Sequence, residues 1–98
     1  MTGRPPLLEL RTARFQPANQ LSEEGDPREM TAAITWLIKS RIPVYRASAI
    51  QLKIGSLSFY PSTGTINFDN CRREPVRGLA GLKTTLENAL RRELPAID

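Results

Sequence analysis

Residues 50–68 read IQLKIGSLSFYPSTGTINF, and the alternation of apolar and polar side chains in this stretch decides the fold. A period of two residues is typical of strands that have one buried face. Gly55-Ser56 predicts a tight hairpin turn, and the stretch from Pro61 to Gly64 predicts a wider one. The stretch therefore predicts a three-stranded antiparallel meander, whose inward face holds Ile50, Leu52, Ile54, Leu57, Phe59, Ile66 and Phe68.

A helix is predicted upstream of the meander. In DPRE, residues 26–29, Asp26 is a natural N-cap, Pro27 suits the first helical position and Glu29 suits a capping box. Pro43 disfavours a helical residue before it, so the helix should end near Arg41. Its apolar stripe comprises Met30, Ala33, Ile34, Leu37 and Ile38.

Two further segments flank the meander. Residues 44–46 are a candidate for a short additional strand, but their alternation does not match that of the meander. A second helix is predicted from about Pro75 to Arg92 and is ended by Pro95. Its apolar stripe comprises Leu79, Leu82, Leu86, Leu90 and Leu94.

These elements predict an α+β fold, in which both helices cover one face of a three-stranded antiparallel sheet. Residues 26–98 form this single domain. Residues 1–25 form an N-terminal arm, because Pro5-Pro6 favours extended chain, and the arm is extended or pairs as an added strand. The predicted core comprises Ile34, Leu37, Ile38, Leu52, Ile54, Leu57, Phe59, Ile66, Phe68, Leu79, Leu82, Leu86 and Leu90.

Several classes of protein do not fit the composition. The apolar runs are too short to span a bilayer, and no secretory signal opens the chain, so we expect a cytoplasmic protein without a membrane partner. The chain has no His and a single cysteine, Cys71, so common bases, common metal ligands and an internal disulfide are missing. No phosphate-binding loop is present. We therefore expect no enzymatic activity, no cofactor and no metal.

The basic residues suggest an anionic partner. The net charge is +4, and residues 31–98 hold ten Lys and Arg against five acids. Three arginines crowd the approach to the last helix in NCRREPVRGLAGL, residues 70–82, where a helix dipole and free amides favour phosphate. The first hypothesis is a nucleic-acid-binding module, for RNA or DNA, that uses Arg72, Arg73, Arg77 and Lys83, with Lys53 on the outward sheet face. The alternative is ordinary surface charge, with Glu74 pairing one arginine.

Trp36 leads to a second hypothesis. It lies off the apolar stripe of the first helix, so it needs either a cover or a partner. The cover would come from Leu7, Leu8, Leu10 or Phe15 of the arm. As a partner site, Trp36 would act with Lys39, Tyr60 and either the arm or a free sheet edge in a protein-interaction module, with self-association into a homodimer as one form.

The order helix, meander, helix over residues 28–94 resembles the double-stranded RNA-binding domain. That resemblance implies an RNA-binding role for the basic start of the last helix, at Arg72, Arg73, Arg77 and Lys83. The sequence differs from that family in its short Gly55-Ser56 turn and in lacking a His there. The sequence is also similar in style to small uncharacterised proteins of phages and mobile elements, which implies an accessory protein that binds host or phage components.

Overall fold

The computed structural model describes residues 8–93, with side chains described for residues 8–91. The α+β class is confirmed, but within these residues the sheet has four strands rather than three, and three α-helices rather than two accompany it. The predictions on Leu7, Pro5-Pro6, Leu94 and Pro95 lie outside the described residues. The elements in chain order are a 3₁₀ helix Leu10–Thr12, α1 Ala18–Leu21, α2 Arg28–Lys39, β1 Tyr45–Ser48, β2 Gln51–Ile54, β3 Leu57–Tyr60, β4 Thr65–Phe68 and α3 Gly78–Glu93.

The four strands form an antiparallel meander in the order β1-β2-β3-β4. The three predicted strands are present as β2, β3 and β4, joined by the two predicted turns. Leu52 is opposite Phe59, and Phe59 is opposite Ile66, so these apolar residues line one face. Ile50 was expected on the same face, but it lies in the β1–β2 turn and is 62% exposed.

The strand that the three-strand prediction omitted is β1, which pairs with β2 and has an irregular register between Arg46 and Ser48. Arg46 is opposite Leu52, so a charged side chain lies on the apolar face of the sheet. This inward arginine is why the alternation around residues 44–46 did not match that of the other strands.

Arg46 is held by a buried ion pair with Asp26. Its two terminal nitrogens donate to the two carboxylate oxygens at 2.7 and 2.8 Å, and the side chains are only 5% and 6% exposed. Further bonds run from the guanidinium to the carbonyl oxygens of Leu21, Ser48 and Ala49. The pair therefore joins β1 to the segments before α2.

Asp26 does not cap α2, although the sequence predicted an N-cap. The helix begins at Arg28 with Pro27 in the cap position, and no side-chain cap bond is made there. The carboxylate instead accepts from Arg46 and from the backbone N–H of Glu23. A bidentate pair between two ionised groups is stronger than a single carboxylate bond to a backbone N–H, so the carboxylate binds the arginine and does not cap the helix. These bonds, chiefly those from Arg46, lower the pKa of Asp26 to about 2, and the pKa of Arg46 is raised in turn.

The apolar side chains of the helices and the sheet form one core cluster. Most of the predicted core residues are buried in it, but Ile38 is 38% exposed, and Leu79 and Leu90 are only partly buried. Ile38, near the end of α2, borders a surface groove with Phe15 and Ile42 and so keeps part of its side chain outside the core. The core residues that the prediction did not include are Leu8, Leu21, Met30, Ala33, Ile42, Val44 and Ala89.

The described part of the N-terminal segment is docked on the domain and contains two short helices. Leu8 is fully buried, and its carbonyl oxygen accepts the backbone N–H of Ser56 at 2.8 Å. Leu21, in α1, is also fully buried. Phe15, between them, is 71% exposed. The segment therefore contributes two fully buried side chains to the core, packs Leu10 against it, and leaves the ring of Phe15 outside.

Candidate nucleic-acid interface

A row of polar residues crosses the sheet on the face opposite the apolar core. Tyr45 is opposite Lys53, Lys53 is opposite Ser58, and Ser58 is opposite Asn67. Directly opposed residues share a face, so these four side chains lie side by side. We call this surface the open face; its strand residues are Tyr45, Gln51, Lys53, Ser58, Tyr60, Thr65 and Asn67, of which all but Ser58 are partly exposed.

Arg73 extends this row beyond β4. An isolated antiparallel bridge joins Asn67 to Arg73, and the N–H of Glu74 donates to the carbonyl oxygen of Ile66 at 2.7 Å. Residues 73–74 therefore pair along the outer edge of β4, and Arg73 lies on the same face as Asn67.

Arg72 and Arg73 are both exposed, and neither forms a salt bridge with a residue in the described range. Glu74, the acid expected to pair with one of the arginines, forms none with that part of the chain either. Among the described side chains, therefore, no acid balances the charges of these two guanidinium groups.

The last helix begins later than predicted, at Gly78 rather than near Pro75. Its first N–H is already bonded to the carbonyl oxygen of Gly64 at 2.9 Å. Arg77 donates to the carbonyl oxygen of Thr63 at 2.7 Å, which ties it to the β3–β4 turn. The three arginines therefore do not form one cluster: Arg77 lies at this turn, whereas Arg72 and Arg73 lie along the sheet edge.

Lys53 lies in the middle of the open face and is engaged with its neighbours. Its ammonium forms an ion pair with Asp69 and donates to the hydroxyl of Ser58 at 3.3 Å. Gln51 also donates to this hydroxyl, at 3.0 Å, so the buried Ser58 is satisfied. Because Asp69 balances the charge of Lys53, this lysine adds no net positive charge to the face.

The β1 end of the open face carries an unpredicted pair. The guanidinium carbon of Arg14 lies 4.6 Å from the centre of the Tyr45 ring, within the range of a cation–π contact. A cleft of about 200 Å³ separates the arm from this end, and it is lined in part by Glu9, Arg14, Tyr45 and Asp69. Sequence reasoning missed Tyr45 because β1 was left out of the predicted sheet. Arg14 gave no signal in the sequence, since its role depends on how the arm docks.

Lys83 lies away from the arginines, in the helical layer. Its ammonium is 5.6 Å from the centre of the Trp36 ring, which packs partly buried against the core. Trp36 therefore has a contact from α3 that the sequence did not predict, and the ring of Phe15, one of the expected covers, is largely exposed. Lys39 is exposed on the same helix as Trp36, but Tyr60 lies on the open face, so these three residues are not brought together.

Both edges of the sheet are occupied by other backbone or side-chain groups. At β1, Gln16 donates its N–H to the carbonyl oxygen of Val44 at 3.0 Å and accepts the N–H of Arg46 on its side-chain oxygen at 2.7 Å. At β4, residues 73–74 occupy the edge. Covered edges of this kind block pairing with another strand.

No family model, no curated protein and no solved structure matches this chain. Within the described residues, no group of three or more His, Cys, Asp and Glu side chains is arranged to hold a metal ion. No helix in that same part of the chain is long and apolar enough to cross a membrane.

Proposed function

We propose that this protein is a small non-enzymatic nucleic-acid-binding module that contacts phosphate through its open face and the adjoining β4 edge. The observation that carries the proposal is the bridge between Asn67 and Arg73. It places Arg73, which forms no salt bridge with a described residue, at the end of the polar row. Arg72 adds a second exposed charge beside it.

The charge balance of the open face supports an anionic ligand. Of the described charged side chains that lie on it or line the adjoining cleft, Arg14, Lys53 and Arg73 are basic, and Asp69 and Glu9 are acidic. Guanidinium groups on an exposed surface are suited to phosphate oxygens, which they bind in a bidentate way. The buried side chains of α2 and α3 belong to the opposite, apolar face.

Fluorescence anisotropy with labelled RNA and DNA, titrated at several salt concentrations, tests this proposal. Replacing Arg72 and Arg73 by Gln removes two charges without touching the backbone bridge. We expect affinity to fall roughly tenfold or more, and the slope of log K against log salt to decrease by about 2.

The matched control replaces Arg28 and Arg91 by Gln, which changes the net charge equally at two exposed helical positions. We expect this control to bind within about twofold of the wild type at physiological salt. Equal weakening in both double variants would mean that net charge causes the effect and that the positions of Arg72 and Arg73 do not matter. No binding by the wild type at low salt would reject the proposal.

A protein-interaction module is the second candidate, and the exposed ring of Phe15 favours it. Phe15 borders an apolar groove of about 320 Å³ that Ile38, Ile42 and Leu21 also line. The covered sheet edges argue against strand pairing, so such a module would use the arm and the side of α2 that borders this groove. Sedimentation over a range of concentrations, at low and high salt, would reveal self-association. Loss of a salt-insensitive association in Phe15→Ser would support this candidate over the first.

A further inference from the structure

The open face carries two aromatic side chains in addition to its basic ones. Tyr45 lies at the start of the polar row, and Tyr60 lies two residues beyond Ser58 along β3, opposite Thr65. Both side chains are partly exposed. They are separated by two strand spacings and two residues, which corresponds to about 12 Å between their Cα atoms. The two rings therefore offer separate positions and do not stack on one another.

The two positions differ in what they present to solvent. Tyr60 offers its ring, whereas Tyr45 is covered by the guanidinium of Arg14 at 4.6 Å. A guanidinium plane is itself a stacking surface for a nucleobase, and it adds positive charge. The β1 end of the open face thus combines a stacking surface with a charge, and the β3 position supplies an aromatic surface alone.

These surfaces suit unpaired bases better than a duplex. In a duplex the faces of the bases are stacked on one another and are hidden, while in a single strand they are free to stack on aromatic side chains. The β2–β3 turn is not available to enter a groove, because the N–H of Ser56 is bonded to the Leu8 carbonyl oxygen. A Cβ at Gly55 would lie only 1.8 Å from that oxygen, so the arm covers the turn closely.

We propose that the ligand is single-stranded nucleic acid, and that Tyr60 and the Arg14–Tyr45 pair are its base-stacking positions. This inference rests on the proposed function, since it names the ligand class of the same surface. Phosphates of the strand contact Arg72 and Arg73 at the β4 edge, and two of its bases lie on the open face.

The first experiment compares anisotropy of one labelled pyrimidine-rich strand, alone and annealed to its complement, in RNA and DNA versions. We expect the single strand to bind at least tenfold more tightly than the duplex. Tyr60→Ala should weaken single-strand binding by roughly 5- to 150-fold, the range found for loss of one stacked base. Tyr60→Phe keeps the ring and should bind like the wild type. Phe15→Ala removes an exposed ring away from this face and should also leave binding unchanged.

A fluorescent variant gives a readout that a structural role of Tyr60 would not produce. The chain has one tryptophan, so Tyr60→Trp in a Trp36→Phe background places the sole indole on the open face. Stacking of a base on this indole should quench its emission as the single strand is added. Unchanged emission at saturating single strand would overturn the stacking role, even if Tyr60→Ala were unstable.

The outcomes separate this inference from the proposed function. If single strand and duplex bind equally and Tyr60→Ala has no effect, while Arg72→Gln/Arg73→Gln weakens both, the phosphate contact stands and the single-strand inference is wrong. If neither form of nucleic acid binds the wild type, both proposals are wrong.

Discussion

Arg46 and Asp26 form the buried ion pair on which the position of β1 depends. The guanidinium and the carboxylate meet through two hydrogen bonds of 2.7 and 2.8 Å, and the same guanidinium also binds three backbone carbonyl oxygens. Removing one partner of such a pair leaves the other buried without its counter-charge, which is costly.

We therefore predict that Asp26→Asn lowers the Tm by roughly 5 °C or more, a large effect for one polar substitution in a domain of this size. Glu23→Gln is the control, because Glu23 lies 3.7 Å from the same guanidinium but its side chain is 60% exposed. Its Tm should change by at most about 2 °C. Thermal unfolding followed by circular dichroism measures both, and equal Tm values for the two variants would contradict this role of Asp26.

The same pair predicts a pH dependence. The bonds from Arg46 lower the pKa of Asp26 from 3.8 to about 2, so the folded protein holds this carboxylate ionised where the unfolded chain protonates it. The stabilisation that this ion pair gives is fully present from about one pH unit above 3.8 upwards. It is lost as the pH falls towards 2. The Tm difference between wild type and Asp26→Asn should be constant near neutral pH and shrink over this acidic window. A difference that persists undiminished down to pH 2 would show that charge is not the cause.

The end of α2 predicts a stabilising substitution. Arg41 has a left-handed φ of 58°. Its N–H donates to the carbonyl oxygen of Ile38, and the N–H of Ile42 donates to the carbonyl oxygen of Leu37. This is the Schellman arrangement, which prefers glycine at the left-handed position. Arg41→Gly should therefore stabilise the protein by about 0.5–1 kcal/mol, measured by urea unfolding. Arg41→Ala keeps a Cβ in the same conformation, so an equal gain from alanine would refute the explanation.

The contact between Gly64 and Gly78 predicts a destabilising substitution at the base of α3. A Cβ on Gly64 would lie 2.7 Å from the Gly78 nitrogen, and φ at Gly64 is +80°. Gly25 has a similar φ of +85°, and a Cβ added there would meet nothing within 4 Å among the described residues, so it is a matched control. Gly25→Ala should cost about 1 kcal/mol from the backbone alone, and Gly64→Ala roughly 1–3 kcal/mol more from the clash. Equal losses of unfolding free energy in the two variants would mean that α3 moves away from the added Cβ at no cost.

The local patterns of the sequence predicted much of this fold. The period-two stretch predicted β2, β3 and β4, with the turns at Gly55 and Gly64, because one face of each strand is apolar and the other polar. The strand β1 breaks that pattern at Arg46, whose partner Asp26 is twenty residues away. No local rule shows that an arginine is neutralised by so distant a carboxylate, and the same contact removed the predicted N-cap.

The residue types of the candidate site could be predicted from the sequence, but which of these residues lie together in space could not. The sequence placed Arg72 and Arg73 at the start of a helix, since Pro75 is a common first helical residue. In the structure, hydrogen bonds to β4 hold residues 73–74 in extended pairing, and the helix starts only at Gly78. Register across four strands then groups Arg73 with Lys53 and Tyr45, a relationship that spans residues far apart in the chain.

The most direct test of the central claim is a map of where nucleic acid contacts the protein. Backbone amide chemical shifts from ¹⁵N-labelled protein, recorded during titration with a single-stranded oligonucleotide, provide that map. The proposal predicts that the largest shifts fall on Lys53, Ser58, Asn67 and Arg73, and that the exposed α2 residues Ala32 and Thr35 barely move. Shifts concentrated on α2 or around the Phe15 groove, or none at saturating oligonucleotide, would contradict a nucleic-acid site on the open face.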